Sequence, residues 1–375
     1  MSSASLKHFT LSLFLASSFL SASDSKAAIP SNEPKEAIGK SGKIENAPYR
    51  IDIPANWNGS LVMLMHGYEP VGMPRAETWP QTDFTPVYLA KGYAVAASAF
   101  SKQGWAVAEA LPDTERLREH FSSVYGKPKK TFIYGFSLGG HLALATLETQ
   151  DKNYDGALSI CGVNVPASVI FDEGIVTPLV ALEYFFPEAL MLPKDGLLDA
   201  SAPPMVDPEL IEAAFVKNEA NARILAERFE IPRAALAGAM MLNYMVLKEV
   251  QNRASGHPVD NTKTSYSGFG DDAAFNKGVK RYAGAPAAMD YIARNANLTG
   301  QINDHVVLLA NQVDQTIPPR FTKHYPALVK DAGKSEQLLI LPSVGEGHCN
   351  FTPEQVSGAF DALVERVEKH DKAKK

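Results

Sequence analysis

Two cysteines are all that the 375 residues contain. That scarcity excludes a small disulfide-dense scaffold, and without a Cys-x-x-Cys pair it also excludes a zinc knuckle. The nine histidines are scattered and include no His-Glu-x-x-His, so no metal is expected. A glycine-rich strand-to-helix turn for dinucleotides is missing too, and no cofactor is expected. Positive charge is not in excess: 36 Lys and Arg stand against 42 Asp and Glu, a net charge of -6. Such a balance argues against nucleic acid or an anionic membrane as partner. After the N-terminus no apolar run is long enough to span a bilayer; Ala234 to Leu247 comes nearest, and Asn243 interrupts it. No repeat and no low-complexity tract appears.

What is present begins with a leader. Lys7 and His8 precede the apolar stretch Phe9 to Leu20, and small residues follow through Ala28. Charge, short apolar core and small-residue cleavage site predict that residues 1–28 are a secretory signal peptide, giving an exported protein, periplasmic or extracellular. Residues 29–45 read as a polar linker. The remainder is long for one core and suggests a large domain carrying an insertion, or two domains.

Beyond the linker, strand and helix signals alternate. Tyr49 to Ile53 alternates as an edge strand does, whereas Leu61 to Met65 and Tyr93 to Ala99 are continuous apolar runs, expected of strands buried on both faces. Trp105 to Tyr125 has helical spacing. Thr131 to Phe136, Gly156 to Cys161, His305 to Ala310 and Gln337 to Leu341 supply further strands. Strands separated by helices predict a mostly parallel α/β sheet over residues 46–162 and 301–370. Residues 163–300 break the rhythm: seven prolines from Pro166 to Pro208 and bunched aromatics and methionines mark a large helical cap insertion.

The chemistry centres on Gly135-Phe136-Ser137-Leu138-Gly139, which joins a strand to a helix. A sharp turn there exposes the serine hydroxyl at a helix N-terminus and demands small neighbours, which Gly135 and Gly139 provide. A serine hydroxyl needs an imidazole to take its proton, and the imidazole needs a carboxylate to fix its tautomer. Asp314 follows the strand ending near Asn311, and His348 lies on the glycine-rich loop after Leu341. Both therefore reach the same sheet edge as Ser137. Asp304 sits at the wrong end of its strand, Glu346 is too near His348 on the same loop, and His141 lies within the elbow helix. The oxyanion formed in acyl transfer calls for two N–H donors. These are assigned to Leu138, next to the nucleophile, and to Tyr68 in the loop His66-Gly67-Tyr68. Trp105, Tyr244 and Met245 are offered as substrate contacts.

With this elbow, the order Ser137, Asp314, His348 and the His66-Gly67 loop, the sequence resembles the α/β-hydrolase superfamily, apart from its insertion. The resemblance implies the α/β-hydrolase fold and a Ser-His-Asp hydrolase acting on carboxylic esters through an acyl enzyme. A peptidase or amidase with the same triad, and a non-catalytic binding module on the same fold, are the alternatives. Phe136 stands where histidine is frequent. The tannase and feruloyl-esterase family is similar in carrying a cysteine directly after its catalytic histidine, where this chain has Cys349. In that family the partner cysteine precedes the serine, a position held here by Phe136, so Cys161 would have to substitute. Either Cys161 and Cys349 are bonded or they are two buried thiols.

Overall fold

The computed structural model describes residues 38–373 except 77, 78, 200 and 296. The leader therefore lies outside the described residues. The strands are β1 (Ile38–Ile44), β2 (Ala47–Ile53), β3 (Leu61–Met65), β4 (Ala94–Ser98), β5 (Thr131–Phe136), β6 (Gly156–Ile160), β7 (His305–Leu309) and β8 (Leu338–Ile340). They form one sheet in the order β1-β2-β4-β3-β5-β6-β7-β8. β2 runs antiparallel to both its neighbours, and every pairing from β4 to β8 is parallel. β1 falls in the stretch read as a linker. Its sequence, Ile-Gly-Lys-Ser-Gly-Lys-Ile, lacks the apolar alternation of a buried strand because it is an edge strand whose described side chains are mostly exposed.

The helices around the sheet are α1 (Thr85–Ala90), α2 (Val107–Tyr125) and α3 (Leu138–Thr149). Between β6 and β7 every regular element among the described residues is helical. α4 (Ala167–Val169) runs into a π-helical segment (Ile170–Val176) and α5 (Thr177–Phe185). α6 (Pro208–Lys217), α7 (Glu219–Phe229), α8 (Leu236–Arg253), α9 (Asp272–Gly278) and α10 (Pro286–Arg294) follow. α11 (His324–Asp331) and α12 (Pro353–Ala373) complete the chain.

The pleat divides the core in two. Val62, Leu64, Val95, Phe132, Tyr134, Leu158 and Val307 face α1 and α12, where Tyr88, Phe360 and Leu363 cover them. Their neighbours Leu61, Met63, Met65, Ile133 and Ala157 face the other way. Alternate residues of a strand take opposite faces, so strands covered on both sides must be apolar throughout, as β3 is. The second face is continuous with the inserted helices: Phe171, Val180, Phe215, Phe229, Tyr244 and Phe275 join the same buried cluster as Met63 and Leu142. The insertion shares its core with the sheet.

Candidate active site

Six parallel strands, β3 to β8, end on one edge of the sheet, and the loops leaving them carry the residues that matter. Ser137 follows β5 with φ 57° and ψ -127°, a left-handed conformation that a non-glycine residue adopts only when its surroundings hold it there. Its N–H donates to Ile160 O at 3.2 Å, and its carbonyl accepts from Gly140 N at 3.0 Å and Val163 N at 3.2 Å. The glycines leave no room for substitution: a Cβ on Gly135 would strike the Gly139 carbonyl, and one on Gly139 would strike the Met65 carbonyl. The turn is tight because α3 starts against the ends of β3 and β6.

Asp314 and His348 come from the loops after β7 and β8. These loops are lashed together, since Gln312 N donates to Gly345 O at 2.9 Å and Gly347 N to Val313 O at 2.8 Å. Asn311 Nδ2 spans them, donating to Val344 O at 3.0 Å and Asn350 O at 3.1 Å. The Asp314 carboxylate is buried, and its Oδ1 accepts from the backbone N–H groups of Thr316 and Ile317, both at 2.8 Å. Its Oδ2 lies 2.8 Å from His348 Nδ1. An ionised carboxylate only accepts, so Nδ1 carries the proton and Nε2 is left as the acceptor. His348 Nε2 stands 2.8 Å from Ser137 Oγ. The structure thus brings Ser137, His348 and Asp314 into one chain of hydrogen bonds.

Cys161 and Cys349 are bonded across 188 residues of chain. Cys161 follows β6 directly, and Cys349 follows His348, with its Sγ 3.5 Å from His348 Nε2. Both cysteines have positive φ, 44° and 56°. The bond fastens the histidine loop to the strand end beside the elbow.

The loop after β3 meets the elbow from the other side. A Cβ on Gly67 would lie 3.2 Å from Ser137 Cβ and 3.5 Å from the Phe136 ring. His66 is buried, stacked 4.2 Å from Phe100, and its Nδ1 is 2.8 Å from Gly67 O. Burial pushes its pKa down, which keeps the ring neutral, with Nδ1–H donating. The Gly67 carbonyl and the Tyr68 N–H belong to one planar trans peptide and point oppositely. Fixing the first therefore fixes the second. The Leu138 N–H heads α3, where the first turn has no intrahelical acceptor.

This is the α/β-hydrolase fold.

Comparison with known proteins gives distant likenesses. No family model matches the chain. It is similar to o-phthalyl amidase of Xanthobacter agilis, 22% identical over 398 aligned residues that cover 86% of each chain. Among solved structures it resembles an esterase of Pyrococcus furiosus, with a TM-score of 0.47, 13% identity and coverage of 92% and 96% of the two chains. It also resembles the acylaminoacyl peptidase of Pyrococcus horikoshii, with a TM-score of 0.46, 12% identity and coverage of 89% and 41%.

Two of the three residues offered as substrate contacts are buried. Trp105 is 4% exposed and packs edge-on to Phe171 at 4.9 Å. Tyr244 is wholly buried, with its hydroxyl donating to Pro203 O at 2.7 Å. Both rings lie in the buried cluster that the sheet shares with the inserted helices, Trp105 from just before α2 and Tyr244 from α8. Met245 is half-buried on the same helix. Glu346, the rival acid, is exposed, and His141 is buried in α3 with its Nδ1 2.8 Å from Val163 O. Among the described residues no group of three or more His, Cys, Asp and Glu side chains is positioned to hold a metal ion. Asn311, two residues past the end of β7, joins the acid and histidine loops, and only its place just beyond a strand marks it in the sequence.

Proposed function

We propose that the protein is a serine hydrolase that cleaves carboxylic esters through an acyl-enzyme intermediate. One observation carries the reading: His348 Nε2 is 2.8 Å from Ser137 Oγ while His348 Nδ1 is 2.8 Å from Asp314 Oδ2. In this mechanism Ser137 Oγ attacks the carbonyl carbon as its proton passes to His348 Nε2. Asp314 stabilises the imidazolium without taking the proton. The Leu138 and Tyr68 N–H groups meet the oxyanion. His348 returns the proton to the departing alkoxide, and the same base then activates the water that releases the acid. The inserted helices act as a cap over the site and choose the acyl and alcohol groups.

Amide hydrolysis is the second reading, and the likeness to an amidase over 86% of both chains favours it. The same groups serve, with His348 protonating an amine instead of an alkoxide. Export to an oxidising compartment accords with the bonded cysteines and with the leader. Among the described residues no helix is long and apolar enough to cross a membrane.

The test is hydrolysis of p-nitrophenyl esters, acetate through palmitate, beside p-nitroanilides of the same acyl groups, with Ser137→Ala as control. Ester turnover that vanishes in the variant supports the first reading. Turnover confined to the anilides moves the assignment to the amidase. Turnover undiminished in the variant removes both.

A further inference from the structure

The residues on either side of Tyr68, in the loop after β3, are both held. The Gly67 carbonyl is fixed by His66 Nδ1, as described. The Glu69 carbonyl accepts from Gly104 N at 2.7 Å, and the two residues form an antiparallel bridge. The Glu69 carboxylate is clasped by Arg75 and accepts from Gln103 Nε2 at 3.0 Å. Gln103 also donates to Met73 O at 2.7 Å and accepts from Gly72 N at 2.9 Å. The loop carrying Tyr68 is therefore built onto the loop 99–105, which follows β4.

That second loop is in turn held from the insertion. Trp105 N donates to Glu249 Oε2 at 3.0 Å. A Cβ on Gly104, whose φ is +83°, would strike the Glu249 carboxylate, so α8 lies flush against the backbone there. Glu249 Oε1 accepts from Arg253 Nε at 2.7 Å. Arg253 reaches Glu109 on α2 with two bonds of 3.0 Å and Gln103 O with one of 2.6 Å. Glu249 and Arg253 are only 10% and 12% exposed. Buried charges persist only when paired and hydrogen-bonded, and beyond each other this pair is engaged with the loop 99–105 and with Glu109 of α2. The Tyr68 hydroxyl is buried without a hydrogen-bond partner among the described residues, and after burial itself it is the charges of Glu249 and Arg253 that act on it.

We propose that Glu249 and Arg253 of α8 are positioning residues for the oxyanion hole, coupling the inserted helices through Trp105, Gly104 and Glu69 to the peptide that presents the Tyr68 N–H. This rests on the serine hydrolase reading. A shift of α8 as substrate binds would then move one oxyanion donor, so that binding substrate and completing the site are a single event. Neither side chain touches the reacting atoms. Their effect falls on the transition state, where the oxyanion is strongest, and hardly on ground-state binding.

The experiment measures kcat and KM per active site, with sites counted by fluorophosphonate titration. Glu249→Ala is expected to lower kcat per titrated site at least tenfold with KM within threefold. The inhibition constant of a trifluoromethyl ketone, a tetrahedral mimic, should rise in parallel. Glu249→Gln, which keeps an oxygen for the Trp105 N–H, should recover kcat to within threefold of the parent. A packing role alone lowers the melting temperature and the number of titratable sites but leaves kcat per site unchanged; that result overturns the proposal. If Glu249→Ala does not accumulate, Arg253→Gln reads the same split, with a threefold or larger fall expected and an unchanged value counting against it. A parent enzyme that neither turns over nor titrates removes the hydrolase reading as well, whereas an active, titratable parent with unaffected variants removes only this coupling.

Discussion

Removing the bond between Cys161 and Cys349, as the double serine variant or by reduction, should cost stability and activity separately. The bond closes a loop with a sequence separation of 188 residues. The chain-entropy expression for a loop of that length gives about 5 kcal/mol at 25 °C, and measured values range down to about 2. A domain of this size unfolds with an entropy of about 0.7 kcal/mol/K, so the melting temperature should drop by about 3–7 °C. The activity effect has a different origin. Cys349 is bonded to the residue beside the elbow and is itself adjacent to His348, so without the bond the imidazole loop loses its covalent anchor and is left to hydrogen bonds such as those of Asn311, Gln312, Val344 and Gly347. A loosened general base should lower kcat about tenfold at temperatures well below unfolding. Thermal melts and ester kinetics with and without a phosphine reductant make the comparison on one preparation. If both the melting temperature and kcat stay where they were, the tethering argument is wrong.

Asp314→Asn should lower kcat by about 10³–10⁴ while the fold survives. The Asn carbonyl oxygen can still accept from Thr316 and Ile317, but the amide cannot hold Nδ1–H of His348. Glu346→Gln, on the same loop as His348, should change kcat less than twofold; a large effect there would reassign the acid. Gly139→Ala drives a methyl group into the Met65 carbonyl and should abolish soluble expression or lower the melting temperature by more than about 10 °C. Stability should also depend on His257, whose pKa burial pushes down to about 4. Its Nδ1 faces the Gln251 amide at 2.9 Å, a donor that disfavours a second ring proton. The unfolded chain binds a proton near pH 6.5 and the folded one does not, so stability is full above that pH and declines as pH falls from about 6.5 to about 4. Urea melts across that range should show the decline, and His257→Gln should flatten it.

The sequence carried the sheet well because buried strands are hard to disguise: β3, β4 and β7 are nearly unbroken apolar runs. Ser137, Asp314 and His348 were legible for a related reason, since each stands just past a strand and strand ends share an edge. β1 was not, because an exposed edge strand of Gly, Ser and Lys has no face to bury and reads as linker. Trp105 and Tyr244 are buried in the structure. An aromatic just before α2 or within α8 looks the same in sequence whether it lines a cleft or a core, and here the insertion's core is continuous with the sheet's. The link from Glu249 to Trp105 N spans 144 residues and joins a side chain to a backbone group, a contact that leaves no periodic trace.

The central claim is that Ser137 is a nucleophile activated by His348. Its most direct test is labelling by a fluorophosphonate, mapped by mass spectrometry of the digested protein. One label per chain on the peptide containing Ser137 is predicted, absent in Ser137→Ala and at least a hundredfold slower in His348→Gln. An unlabelled protein, or a label at another serine, would contradict the account.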